Sequence, residues 1–148
     1  MVHIAVVNDD IDFIDAIKIL LTEFGDYKVS VIHEGEKAYQ MLKKTPPDLV
    51  ILDIRMDTPH RGWSILDLLK LDPKTTPIPV IVCTALTINE EKTNWLKKHN
   101  IALLLKPFEI TDLKNLVDIM LQPPTQPHLS EKLKTKTRSV HKLNRPAE

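Results

Sequence analysis

The sequence predicts a doubly wound α/β domain built on a five-stranded parallel sheet, and three observations carry that expectation. Short apolar runs rich in β-branched residues recur at residues 4–7, 29–32, 49–52, 78–82 and 101–105, and segments with helical spacing alternate with them. The first, third, fourth and fifth runs are nearly continuous in apolar residues, as strands covered on both faces are. The second is shorter and flanked by charge, which suits an edge. With right-handed crossovers throughout, that edge strand favours the order 2-1-3-4-5 and puts the switch point between the first and third strands.

Each helix has its own signals. Ile11, Ile14, Ile17, Leu20, Leu21 and Phe24 keep helical spacing, and Gly25 supplies a left-handed stop just beyond. A second helix spans residues 34–43 and ends before Pro46 and Pro47. The third covers residues 62–71, with Ile65, Leu68 and Leu69 on one face and Pro73 ending it. Thr87, with Glu90 three residues on, has the spacing of a capping box for the fourth, and Asn100 takes the left-handed position after it. Thr111 caps the fifth, which turns Leu113, Leu116, Val117, Met120 and Leu121 inward. Pro123 and Pro124 then end the domain, which occupies residues 1–122. Residues 123–148 are rich in Pro, Thr, Lys and Gln and read as a basic, largely disordered tail, with one helical turn near residues 129–133.

Composition narrows the functional classes. The chain has 148 residues, 43% of them apolar, which suits one domain with a real core. Its zero formal charge hides an asymmetry. Lys132, Lys134, Lys136, Arg138, Lys142 and Arg145 face only Glu131 and Glu148 in the tail, so the tail is net +4 and the body net −4. Such scattered charge falls short of a nucleic-acid footprint, and no nucleic-acid partner is expected. The single cysteine, Cys83, excludes an internal disulfide and reads as core packing. The amino terminus enters a strand directly, and no apolar stretch is long enough to span a bilayer. A soluble cytoplasmic protein with no membrane partner is expected. Six histidines without metal spacing are expected at the surface. Gly25, Gly35 and Gly62 form no phosphate-binding loop, which removes most support for nucleotide binding.

The chemistry gathers at strand ends. In an open parallel sheet the carboxyl ends of the strands share one edge, so residues distant in sequence converge on one crevice. Asn8 and Asp9 follow the first strand, Asp53 the third, Thr84 the fourth and Lys106 the fifth. Asp9 or Asp10 could serve only as a helix N-cap. Asp9 also suits Mg²⁺, a hard cation held by one or two carboxylates plus phosphate oxygens. Asp53 leaves a buried strand, where a lone carboxylate is costly, and Lys106 is its natural partner. Thr84, beside small Ala85, offers a hydroxyl with room for a ligand to approach.

Four segments in this order and spacing resemble the response-regulator receiver domain of bacterial two-component systems, with its flavodoxin-like fold. They are the run from Val6 to Asp10, the run from Pro47 to Met56 around Asp53, the run from Pro79 to Ala85, and Lys106 with Pro107 and Phe108. The resemblance implies a signalling switch rather than an enzyme. Asp53 would be the phosphoacceptor, taking a phosphoryl group from a histidine kinase or phosphotransfer protein. Asp9, Asp53 and the backbone carbonyl of Arg55 would hold Mg²⁺, with Asn8 acting through water. Thr84 and Lys106 would bind the phosphoryl oxygens. The fourth helix, fifth strand and fifth helix would face a downstream protein or a second copy in a homodimer, with Trp95 as an anchor.

This sequence departs from the family pattern in four ways. Asn8 replaces the usual first carboxylate. The path from Met56 to Gly62, through Asp57, Thr58, Pro59, His60 and Arg61, is one residue longer than usual. Leu103 stands where the family places a switching aromatic. No output domain is read after the fifth helix, so the expectation is that the protein acts by docking or that the sequence is a fragment of something longer. A degenerate receiver that binds partners without phosphorylation is the alternative. An aspartyl phosphatase is disfavoured, because Arg55 occupies the position of the second acid such enzymes need. Arg55 and Leu86 also lie where the family positions the hydrolytic water, and a long-lived phosphorylated state is expected from them.

Overall fold

The computed structural model describes residues 1–56, 58–85 and 87–122. Strands and helices alternate as β1 (Val2–Val7), α1 (Ile11–Phe24), β2 (Tyr27–Ile32), α2 (Gly35–Lys44) and β3 (Leu49–Asp53), then α3 (Arg61–Leu71), β4 (Val80–Thr84), α4 (Glu90–Lys98), β5 (Ile101–Leu105) and α5 (Ile110–Met120). All five strands are parallel, in the order β2-β1-β3-β4-β5 expected from the sequence.

Successive strand side chains point to opposite faces, so an unbroken apolar strand feeds two cores at once. On one face Val7, Val50, Leu52, Val80, Val82 and Leu103 pack with Ala38 and Leu42 of α2, Ile65, Leu66 and Leu69 of α3, and Leu96 of α4. On the other, Val6, Ile51, Ile81, Cys83 and Leu104 pack with Ile14, Ile17, Leu20 and Leu21 of α1 and Leu113, Leu116, Val117 and Met120 of α5. Every residue of β3, β4 and β5 is buried, whereas β2 is mostly half-exposed, as its edge position requires.

The helix ends and stripes depart from the sequence expectation more than the architecture does. Gly25 is extended (φ −165°), not left-handed. A Cβ there would lie 2.1 Å from the Tyr27 ring, so close approach and not chirality accounts for the glycine. Asn89, not Thr87, caps α4 by accepting from Lys92 N–H at 2.7 Å. Glu109, not Thr111, caps α5, and the Asp112 carboxylate accepts from the Glu109 N–H at 3.2 Å. Both N-caps lie two residues from the expected ones, because several polar residues precede each helix and only backbone geometry chooses among them. Ile11 is 64% exposed and Leu68 45% exposed, so the inward stripes begin at Ile14 and pass through Leu66. Ile78 lies in a turn, its N–H bonded to Thr75 O, and β4 begins at Val80. Asn100 takes the left-handed conformation (φ 58°) as expected. Among the described histidines, His3 and His99 are half-buried rather than exposed. No helix among the described residues is long and apolar enough to cross a membrane. The tail of residues 123–148, with the helical turn expected in it, and residues 57 and 86 lie outside the described residues.

Candidate functional site

Strand register brings the expected residues to one edge. Asp53 pairs with Cys83, and Thr84 with Leu105. One residue further, the Lys106 N–H donates to Thr84 O at 2.8 Å, and the Asn8 N–H donates to Ile32 O at 3.1 Å. The ladder therefore continues to the chemistry-bearing positions themselves, which fixes their backbones before any side-chain contact is made.

Asp53 is the hub. Its side chain is nearly enclosed, with the residue 8% exposed, so the carboxylate must be compensated. Oδ2 accepts from Lys106 Nζ at 2.8 Å and from Asn8 Nδ2 at 3.2 Å, and Oδ1 accepts from the Arg55 N–H at 3.1 Å. Removing Lys106 would strand a buried charge, which is far more costly than losing a surface pair. Asn8 is buried, and its Oδ1 accepts from the Asp10 N–H at 2.8 Å, which aims the amide nitrogen at Asp53. Asp10 in turn caps α1, its Oδ1 accepting from the Asp12 N–H at 3.0 Å and the Phe13 N–H at 3.3 Å. That leaves Asp9 exposed, with no hydrogen bond or ion pair on its carboxylate among the described residues. Thr84 is buried at the end of β4, and Ala85 beside it is exposed.

The β3–α3 loop is held by backbone bonds. Gly62 N–H donates to Ile54 O at 2.8 Å, and Met56 and Arg61 N–H both donate to Thr58 O. A Cβ on Gly62 would stand 2.3 Å from Ile54 Cα and 2.5 Å from Asp53 O, so glycine lets the loop fold closely against the end of β3. Arg55 is exposed at the loop's start. Leu103 is buried in the core, and the position holds no aromatic ring. Burial pushes the Cys83 thiol up to about 12, which suits core packing and not nucleophilic chemistry. Trp63 is half-buried with Lys92 Nζ 4.4 Å from its ring centre. Trp95 is also half-buried, packed on the core and stacked on His99 at 4.6 Å.

Phe13 belongs to the site and was missed. Lys106 Nζ lies 4.8 Å from its ring centre, and Phe108 meets the same ring edge-to-face at 6.2 Å and 87°. The signal was present: Phe13 falls three residues after the cap of α1 and Phe108 two after Lys106, so both reach the edge where Lys106 emerges.

Among the described residues no three His, Cys, Asp or Glu side chains gather into a metal cluster. Mg²⁺ does not need one, since it takes one or two carboxylates and keeps several waters. A carboxylate offers about four acceptor positions, of which Asp53 uses three among the described residues, and the one left is on Oδ1. With the Asp9 carboxylate uncommitted among the described residues and Asp9 adjoining Asn8, which bonds Asp53, the residues fit a weakly held hard cation.

The sequence profile of the response regulator receiver domain family matches residues 4–118. The chain belongs to that family. As a receiver it is a signalling module of two-component systems. It is 34% identical to the N-terminal domain of a response regulator receiver protein from Methanoculleus marisnigri, with a TM-score of 0.63 over 82% of this chain and 97% of that one. It resembles the receiver domain of a signal transduction histidine kinase from Syntrophus aciditrophicus at 27% identity and a TM-score of 0.71, over 86% and 96% of the two chains. Among curated proteins it is 28% identical over 122 residues to the DNA-binding dual master transcriptional regulator RpaA of Synechocystis. That match covers 82% of this receiver but only 50% of RpaA.

Proposed function

We propose that this receiver is a phosphoacceptor switch in which Asp53 takes a phosphoryl group from a phosphohistidine of a kinase or phosphotransfer protein. The observation that carries the reading is the enclosed Asp53 carboxylate with Lys106 Nζ at 2.8 Å. An oxygen of Asp53 attacks phosphorus while the P–N bond of the phosphohistidine breaks and its electron pair returns to the imidazole. Little covalent chemistry is asked of the protein beyond positioning and charge neutralisation. Lys106 follows the phosphoryl group from the carboxylate to one equatorial oxygen, and the Thr84 hydroxyl serves another. Asp9, Asp53 and the Arg55 carbonyl would hold Mg²⁺, and Asn8 would assist through water. Bound there, the cation neutralises charge on the transferring group.

The receiver unit is residues 1–122, followed by the basic segment 123–148. We place it in the cytoplasm, acting by docking on a downstream protein or a second copy through α4, β5 and α5. Arg55, exposed beside the site, shields the acyl phosphate from water and prolongs the signal. Leu86, its expected counterpart, lies outside the described residues.

One observation favours a second reading. The Asn8 amide donates to Asp53 where a receiver usually has another acid, which lowers the demand for a cation and suits a module that binds partners unphosphorylated. Incubation with acetyl phosphate and Mg²⁺, followed by intact-mass and peptide analysis, separates the two. One phosphoryl group on Asp53, absent in Asp53→Asn, is expected. An unmodified wild type beside a modified known receiver would favour the phosphorylation-independent module.

A further inference from the structure

We infer that Phe13 is a positioning residue for Lys106, its ring face holding the ammonium against the Asp53 carboxylate in readiness for a phosphoryl oxygen. The inference rests on the reading of Asp53 as phosphoacceptor. Lys106 has a long, rotatable stem and is only partly enclosed, its side chain 30% exposed, so an ion pair alone would leave it free to swing into water. Three contacts limit that freedom. Asp53 Oδ2 accepts one ammonium N–H at 2.8 Å, the Phe13 ring centre lies 4.8 Å from the nitrogen, and Phe108 fixes the tilt of that ring with its own centre 6.2 Å away. The ring is itself anchored through its backbone, because the Phe13 N–H donates to the Asp10 cap at 3.3 Å.

Two chain segments thereby clamp one ammonium. The first turn of α1 supplies the platform, and the residue two beyond Lys106 braces it. An aromatic face attracts a cation without offering a hydrogen-bond acceptor. Lys106 therefore keeps its remaining N–H groups for oxygen ligands, which a carboxylate in the same place would consume. When the phosphoryl group arrives, the nitrogen can pivot from Asp53 to the new oxygen while staying on the ring. An aliphatic side chain of similar volume would fill the space but supply no such attraction.

The test varies the ring's electronics and leaves its size nearly unchanged. The full chain is prepared with phenylalanine, its mono-, di- and trifluorinated analogues, tyrosine or leucine at position 13, and labelling by acetyl phosphate with Mg²⁺ is timed. Expected are a stepwise fall in rate with each fluorine, a wild-type rate for Phe13→Tyr, and a loss of about fivefold for Phe13→Leu, with melting temperatures unchanged along the fluorine series. In parallel, NMR of the unphosphorylated protein should show ring-current-shifted Lys106 ε-methylene protons that return to ordinary positions in Phe13→Leu. A rate indifferent to fluorination would overturn the inference even if the wild type is labelled well. Should the wild type not be labelled, the phosphoacceptor reading fails by itself, and the NMR shift decides the placement of Lys106. An unshifted Lys106 in the wild type would overturn the placement.

Discussion

Asp53 and Asp72 are bonded almost alike at opposite ends of the sheet, yet only one sits where chemistry is expected. Each gives one oxygen to the backbone N–H two residues on, Asp53 to Arg55 at 3.1 Å and Asp72 to Lys74 at 2.9 Å. Each gives Oδ2 to two side-chain donors, Lys106 and Asn8 for Asp53, Lys43 and Tyr39 for Asp72. The Tyr39 hydroxyl, then the Lys74 N–H and Lys43, hold the Asp72 carboxyl down at about 2. The same bond pushes the Tyr39 hydroxyl above its ordinary range.

Topology separates the two. Crossover helices run antiparallel to the strands, so Asp72, just past α3, lies at the amino-terminal edge of the sheet. There its donors tie α2 to α3. Nearby Lys70 Nζ donates to Thr76 O and Ile78 O, and the buried Thr75 hydroxyl donates to Leu69 O at 2.7 Å. Those groups are spent on closing the turn into β4. At the carboxyl-terminal edge the donors come from the ends of different strands, and the exposed Asp9 carboxylate and Thr84 accompany them. A well-bonded carboxylate therefore does not by itself mark a site. What distinguishes the carboxyl-terminal edge is convergence of strand ends on polar groups, with the Asp9 carboxylate and one acceptor position of Asp53 uncommitted among the described residues.

The widest separation between the edges should come from removing each carboxylate. Asp53→Asn is expected to abolish phosphodonor labelling, while Asp72→Asn labels within about twofold of wild type because distant, unshared sites act independently. Intact-mass kinetics of the two variants check this. If Asp72→Asn labels as poorly as Asp53→Asn, the distinction between the edges collapses.

Next in size is Gly62→Ala. The new methyl would meet backbone atoms of Ile54 and Asp53, and backbone cannot rotate aside. A loss of about 1–3 kcal/mol by urea unfolding is expected from overpacking, together with slower labelling of Asp53. An alanine variant as stable as wild type would show that the loop does not press on β3.

Smaller effects should appear in the pH dependence of the structural edge. Asp72 titrates lower in the folded than in the unfolded chain, so its contribution is present above the ordinary carboxylate range. It is lost as pH falls from about 4 to about 2. Asp72→Asn should flatten that part of the acid unfolding curve. Lys70 has the same sign in a higher window, but from burial of its charge and not from bonding to it. Burial lowers its ammonium to about 8, so the folded state binds fewer protons than the unfolded one and stability should rise between about pH 8 and 10.5. Lys70→Met should remove that rise, and melting temperatures across the two ranges measure both effects.

The smallest expected change is in signal lifetime. Arg55→Asn should speed loss of phosphate from Asp53 by a few-fold, about the value of one shielding or charge-assisted contact. Loss no faster than wild type would remove Arg55 from that role.

The strand ends were legible because a buried parallel strand writes itself as an apolar run, so a charge closing the run at Asp53 or Lys106 stands out. Strand order followed from the polar flanks of β2. Asp72 was not legible, since an acid in a polar turn before a lysine looks like any surface loop until Tyr39 and Lys43 are seen across the helix pair. Phe13 was missed for a related reason. One aromatic on the first turn of an amphipathic helix reads as core, and only the fold brings β5 and its Lys106 over the ring. The helix caps Asn89 and Glu109 escaped because neighbouring polar residues compete for the cap and the backbone decides.

The most direct test of the contrast between the edges is an NMR titration of the full chain with beryllofluoride and Mg²⁺, which together mimic an acyl phosphate. The expected result is saturable shifts centred on Asn8, Asp53, Thr84 and Lys106, with Tyr39, Lys70 and Asp72 unmoved. Shifts absent from the first group, or equally large in the second, would contradict the assignment of the chemistry to the carboxyl-terminal edge.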